Sequence, residues 1–217
     1  MTALRQPGVP TVSPEAAAAG SAGKRTALLV MDFQNDFCTS EGIGAEYRGE
    51  MARMVGLAQH ITQVVEFARA RGIEVIFVQF IGDEDYQKPS WRYRDQVLGK
   101  RPKCRKGTWG AEFFRVTPES GERVFQKYAH FDAFLSDGFD EYLVERGYQH
   151  LVLAGVYSDV CVDSTARTAF QKGYFVTVLA DCTTGLHLHD ADIMYFMSRL
   201  YGARIVSHDD FIATYAG

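Results

Sequence analysis

No apolar run in this chain approaches the ~18–20 residues that a membrane-spanning helix requires. Nor is there an excess of one charge: 23 Lys+Arg against 27 Asp+Glu leave a formal net charge of −4. That balance is poor footing for a nucleic-acid or anionic-membrane binder. The four cysteines, Cys38, Cys104, Cys161 and Cys182, form no CxxC pair and no zinc-ribbon spacing. Despite Ala16 to Ala19, the first 25 residues lack the contiguous apolar core of a secretory signal. Free thiols in a reducing, cytoplasmic setting are therefore expected. No internal repeat is visible. What is present is 217 residues with 47% hydrophobic and 13% aromatic content. A chain of that length buries roughly 70% of its unfolded surface and needs no disulfide or metal staple.

Residues 1–24 hold three prolines and the alanine run and have little periodicity, which predicts a flexible N-terminal arm. From residue 25 to 217 short apolar runs alternate with helical patterns. Thr26 to Met31, Ile73 to Phe80, Arg123 to Gln126, Leu151 to Val156, Tyr174 to Ala180 and Arg204 to Ser207 read as strands. Met51, Met54, Val55, Ala58, Ile61 and Val65 recur at helical steps from about Tyr47, with Gly72 as the stop. Further helices are predicted around Phe139 to Arg146, Asp159 to Lys172 and Ile193 to Leu200. Residues 82–121 show no clean period and read as a long functional insertion. This alternation predicts one α/β domain around a parallel sheet, with ligands collecting at the carboxyl edge of the strands.

Three residues with chemistry to offer fall at that edge: Asp32, Lys127 and Cys161, after the first, third and fourth strands. Cys161 has the strongest local argument. Ser158 or Asp159 is placed to cap the following helix, whose core stripe is Val162, Ala166, Ala169 and Phe170. Cys161 then lies in the first turn, where the helix dipole and a nearby lysine are expected to lower its pKa. Cys38 and Cys182 lack such support. Cys104, in a basic setting, lies within the irregular insertion, where a catalytic constellation is hard to hold.

Leu28 to Phe37 (LVMDFQNDF after the leading leucine), the Lys127 segment and Leu153 to Val162 (LAGVYSDVCV) are similar to the isochorismatase-like cysteine hydrolases. The likeness continues through Ser164 to Phe170, Gly173-Tyr174 and Leu179 to Asp181, so it covers essentially everything from Thr26 onward. It implies a three-layer α/β/α fold with a six-stranded parallel sheet in order 3-2-1-4-5-6. It implies an Asp32/Lys127/Cys161 triad, an oxyanion held by the backbone N–H groups of Tyr157 and Cys161, and a cis peptide at Val156–Tyr157. It also implies a homo-oligomer, dimer or tetramer. The chemistry would be thiolate acyl transfer on an amide.

Gly107 to Glu112, followed by Lys127 to Phe134, resembles the branch acting on biuret, ureidoacrylate and related carbamoyl amides. A planar ureido group needs fixed polar partners among aromatic walls. Asn35, Gln79, Glu112 and His130 are candidates for the partners; Phe37, Trp109, Phe131 and Tyr157 for the walls. Asp132 stands where many relatives carry serine, which adds a charge to the segment. Metal-binding nicotinamidase relatives carry an Asp-x-His element after the first strand. Here Gly42-Ile-Gly44 and Glu46 occupy that stretch, so no metal and no other cofactor is expected; His187, His189 and Asp190 read as solvated or helix-capping. The expected partner is a small-molecule substrate. Alternatives are hydrolysis of nicotinamide, maleamate or an N-carbamoyl amino acid, or a non-catalytic binding subunit that keeps the fold. A dinucleotide site is disfavoured because Gly42 to Tyr47 lacks the third glycine and starts too far from the strand.

Overall fold

The computed structural model describes residues 23–41 and 51–216. The N-terminal arm predicted over 1–24 and the helix start near Tyr47 lie almost wholly outside the described residues. All four cysteines are free and buried.

Six strands form one parallel sheet in order β3-β2-β1-β4-β5-β6. They are β1 (Thr26–Met31), β2 (Glu74–Ile81), β3 (Arg123–Tyr128), β4 (His150–Gly155), β5 (Phe175–Leu179) and β6 (Arg204–Val206). The central strands are buried on both faces, as an apolar run without polar alternation requires. In β1, Ala27, Leu29 and Met31 face one core while Leu28 and Val30 face the other. Complete burial of each Leu or Met contributes on the order of 1.5–3 kcal/mol.

The first core is covered by α3 (Phe139–Glu145), α4 (Asp163–Gln171) and α5 (Asp190–Tyr201), through Phe139, Leu143, Ala166, Ala169, Ile193 and Met197. The second is covered by α1 (Met51–Ala70) and α6 (His208–Ala216), through Met54, Ile61, Val65 and Phe211. The result is the expected three-layer arrangement.

Four features depart from what the sequence predicts. The insertion contains a ten-residue helix, α2 (Pro89–Leu98), which begins on Pro89 and ends at Gly99 in the left-handed conformation. Its exposed apolar residues Tyr93 and Val97 blur any amphipathic stripe. The helix predicted from Asp159 starts with a π-helical turn, Ser158–Val162, before α4 proper. The predicted core stripe holds for Val162, Ala166 and Ala169, but Phe170 is 49% exposed because the eighth position drifts off the buried face. Lys127 sits within β3, not after it.

Strand register brings the functional edge together. Met31 pairs with Val78 on one side and with Gly155 on the other. At Gly155, with φ +106, a Cβ would lie 2.0 Å from Met31 O, so only glycine permits this approach.

Candidate active site

The chain leaves β1 at Asp32, whose backbone adopts φ 47 and whose N–H donates to Val78 O at 2.8 Å. Aspartate tolerates this left-handed conformation better than most residues. The turn directs its side chain into the interior, where it is fully buried. Lys127, also fully buried, reaches across from the edge strand, in register with Phe80. Its Nζ donates to Asp32 Oδ2 at 2.5 Å and to Phe131 O at 2.7 Å. Cys161 interacts with both charges from the π-helical turn after β4. The structure therefore brings Asp32, Lys127 and Cys161 together, although they are far apart in sequence. Asp32 Oδ1 is buried with no hydrogen-bond partner among the described residues.

Burial and then the negative charge of Asp32 push the Cys161 thiol well above the ordinary cysteine range, against the opposing pull of Lys127. This corrects the expectation of a thiol lowered by a helix terminus. Neither expected cap acts as one: Ser158 Oγ makes no hydrogen bond with any described residue, and Asp159 turns away. Its carboxylate accepts from the backbone N–H groups of Leu186, His187 and Leu188 at 2.7–2.9 Å. Burial also raises Asp32, while Lys127 opposes it. Burial works against the charge of Lys127, yet Asp32 and Cys161 hold it above the usual lysine value. The buried cluster thus holds an acid paired with an ammonium beside a thiol whose ionisation burial and Asp32 oppose. The Val156–Tyr157 peptide bond is cis.

Cys161 opens onto a cavity of about 550 Å³, within the range of small-molecule sites. Phe37, Phe131 and Tyr157 line it, as expected; the other proposed substrate contacts do not. Gln79 donates to Ala111 O and accepts from Gln126, tying the insertion to the sheet. Trp109 is 49% exposed, and its carbonyl accepts from Asn35 Nδ2. Glu112 is exposed, and its carbonyl accepts from Asn35 N–H. His130 hydrogen-bonds Asp132 O, and burial together with the charge of Lys127 lowers its pKa. Asp132 itself accepts from Phe134 N–H and Thr168 Oγ1, a capping role.

Other residues fill the cavity walls. Phe80 stacks on Trp91, Trp91 packs on Phe131, and the Arg94 guanidinium covers Trp91 at 4.0 Å. The only sequence signal for this wall is the aromatic and basic density of residues 82–106.

The described residues contain one group with metal-ligand chemistry: His60, Asp181 and His208, whose ligand-type atoms lie within 4.8 Å of one another. None of them lines the cavity. Asp181 accepts from His208 N–H at 2.8 Å and lies 2.6 Å from His208 Nδ1, joining the end of β5 to the start of α6. The two imidazole rings stack at 4.2 Å, nearly parallel, so their in-plane lone pairs do not converge on one point.

Residues 26–210 match the isochorismatase domain. A ureidoacrylate amidohydrolase RutB of Methylorubrum extorquens is 33% identical over 172 residues, covering 73% of this chain and 69% of that protein. The RutB of Pseudomonas syringae pv. syringae is 30% identical over 207 residues, covering 88% and 84%. A crystal structure of an isochorismatase family protein from Desulfovibrio vulgaris superposes with a TM-score of 0.73 at 27% identity, covering 90% of this chain and all of that one.

Proposed function

The chain belongs to the isochorismatase family and is an amidohydrolase; from that premise we propose that it cleaves a C–N bond of a small ureido or carbamoyl amide through a Cys161 thioester. The observation that carries this reading is a buried Asp32–Lys127 ion pair within electrostatic reach of the buried Cys161 thiol at the mouth of a cavity.

Asp32 is the base. It takes the Cys161 proton as the sulfur attacks the carbonyl, so the free thiolate never accumulates. Lys127 balances the negative charge, whichever of the two acids carries it. The oxyanion is held by the backbone N–H groups of Tyr157 and Cys161. Asp32 then returns the proton to the departing amine nitrogen, and ammonia leaves. Water adds to the thioester, and the carbamic acid product departs as the thiol re-forms. The ureidoacrylate hydrolysis for which the RutB relatives are named favours a ureido substrate, as do the planar aromatic walls around Phe37, Phe131 and Tyr157. No helix among the described residues is long and apolar enough to cross a membrane.

The test is ammonia release from biuret, triuret, ureidoacrylate, nicotinamide and N-carbamoyl amino acids, with wild type and Cys161→Ser. Turnover of ureido compounds that is lost in C161S, with a mass adduct trapped on Cys161 of the wild type, is the expected result. Turnover of nicotinamide alone would remove the ureido assignment.

A further inference from the structure

The cavity in front of Cys161 carries more positive charge than its own residues neutralise. Its lining contains two carboxylates beyond the Cys161 site, Asp95 and Asp159. Asp95 is bound by the Arg94 guanidinium through Nε at 2.8 Å and Nη2 at 2.5 Å. Asp159 is saturated by the three backbone N–H groups of residues 186–188. Three further lining cations, Lys100, Arg101 and Lys103, form no ion pair or side-chain hydrogen bond with any described residue.

Isolated surface lysines are ordinary, but this segment is built into the site. Lys100 N–H donates to Asp95 O at 2.9 Å, just after Gly99 turns the chain at φ 62. At its other end, Gly82 N–H donates to Cys104 O at 3.4 Å. A Cβ at Gly82 would sit 2.4 Å from Lys103 O, so the two stretches of backbone are in direct contact. Asp36 Oδ2 accepts from Cys104 N–H at 2.6 Å. Pro102 restricts the backbone between the cations. A bracket whose backbone is fixed at both ends leaves only its side chains to be ordered when it binds an anion.

We propose that Lys100, Arg101 and Lys103 form the clamp for the carboxylate of a ureido or carbamoyl acid, the class that includes the ureidoacrylate of the RutB relatives. Its amide carbon meets Cys161 while its carboxylate meets this bracket. The proposal rests on the amidohydrolase reading above and narrows it: neutral substrates such as biuret leave the clamp empty. The aromatic wall of Phe80, Trp91 and Phe131 holds the planar portion between the two ends.

The test compares N-carbamoyl-β-alanine with its neutral carboxamide, and includes biuret. The proteins are the full-length wild type, the combined Lys100→Gln, Arg101→Gln and Lys103→Gln variant, and the charge-keeping Lys100→Arg and Lys103→Arg variants. The readout is the ratio of kcat/KM for the acid to that for the carboxamide. Lys100 and Arg101 are exposed and Lys103 half-buried, and charge-assisted contacts from the three together carry ~10-fold or more. The wild type is therefore expected to favour the acid by at least ~10-fold, and the combined variant to lose that preference through KM. The arginine variants should keep it. Equal use of acid and carboxamide by the wild type, or a preference that survives in the combined variant, overturns the clamp while the amidohydrolase reading stands. Failure of the wild type to hydrolyse any of the three compounds overturns that reading and the clamp with it.

Discussion

Asp32 sets the behaviour of Cys161 more than the helix does. After burial, its charge is the largest influence raising the thiol, and Lys127 opposes it. Replacing Asp32 by Asn removes the repulsion and leaves Lys127 facing the sulfur. The sign is therefore a lowered thiol pKa. At pH 7, Asp32→Asn is expected to alkylate at Cys161 with iodoacetamide several-fold faster than wild type, while ammonia release drops by ~100-fold or more for want of a base. Alkylation no faster than in wild type would count against this electrostatic account. Lys127 is tested through stability. Lys127→Met strands the Asp32 carboxylate in a fully buried site, and breaking a buried pair in this way costs about 3–5 kcal/mol. Urea unfolding of the variant at pH 7 should show a loss of that order. An unchanged midpoint would mean that Asp32 is neutral at rest.

At the level of elements, the amino ends of the central strands carry a pH sensitivity of their own. His150 opens β4 between Thr26 of β1 and Thr177 of β5, at 3.1 and 2.8 Å. Burial, with the charges of Arg204 and Lys24, lowers its pKa from 6.5 to about 4. The folded state thus binds this proton less readily than the unfolded chain. The associated stability is complete above pH 6.5 and is lost as the pH falls toward 4, by about 3 kcal/mol in all. His150→Gln keeps hydrogen-bonding capacity without titrating. Its unfolding free energy should therefore fall less steeply over that window. Parallel curves for variant and wild type would place the acid sensitivity elsewhere. The elements also differ in how well the sequence announces them. Strands such as Leu28 to Met31 are buried on both faces, and their apolar runs leave no other reading. The α2 helix is hidden in the sequence because much of its surface faces solvent, as the 70% exposure of Tyr93 records.

For the molecule as a whole, the doubly wound sheet and its strand order were legible from the alternation of runs and the motif likeness. So was the meeting of Asp32 and Cys161, because β1 and β4 are neighbours at the point where the strand order reverses. Cavity lining was much less legible. Gln79, Trp109 and Glu112 have the residue types a ureido pocket needs, but tertiary hydrogen bonding uses Gln79 as a tie and leaves the other two at the surface. Which way a side chain of an irregular segment points is decided by contacts distant in sequence, such as Asn35 on Trp109 O. Assembly is a prediction at this scale. Val97, Leu135 and Val144 are 61–66% exposed; single exposed apolar residues are ordinary, and the expectation of a homo-oligomer rests on the family likeness. Sedimentation is expected to give a dimer or tetramer of the 24.3 kDa chain. A monomer at micromolar concentrations would refute that expectation.

Asp159 links two otherwise independent pieces, since it belongs to the same π-helical turn as Cys161 and grips the 186–188 loop on the cavity rim. Lys100 to Lys103 hang instead from Gly82 and Asp36, which follow β2 and β1. Asp32, Lys127 and Cys161 all lie outside residues 83–103, so an exchange within that stretch is expected to alter the Trp91, Arg94 and Lys100 to Lys103 side of the cavity while leaving those three side chains and the walls at Phe37, Phe131 and Tyr157 in place.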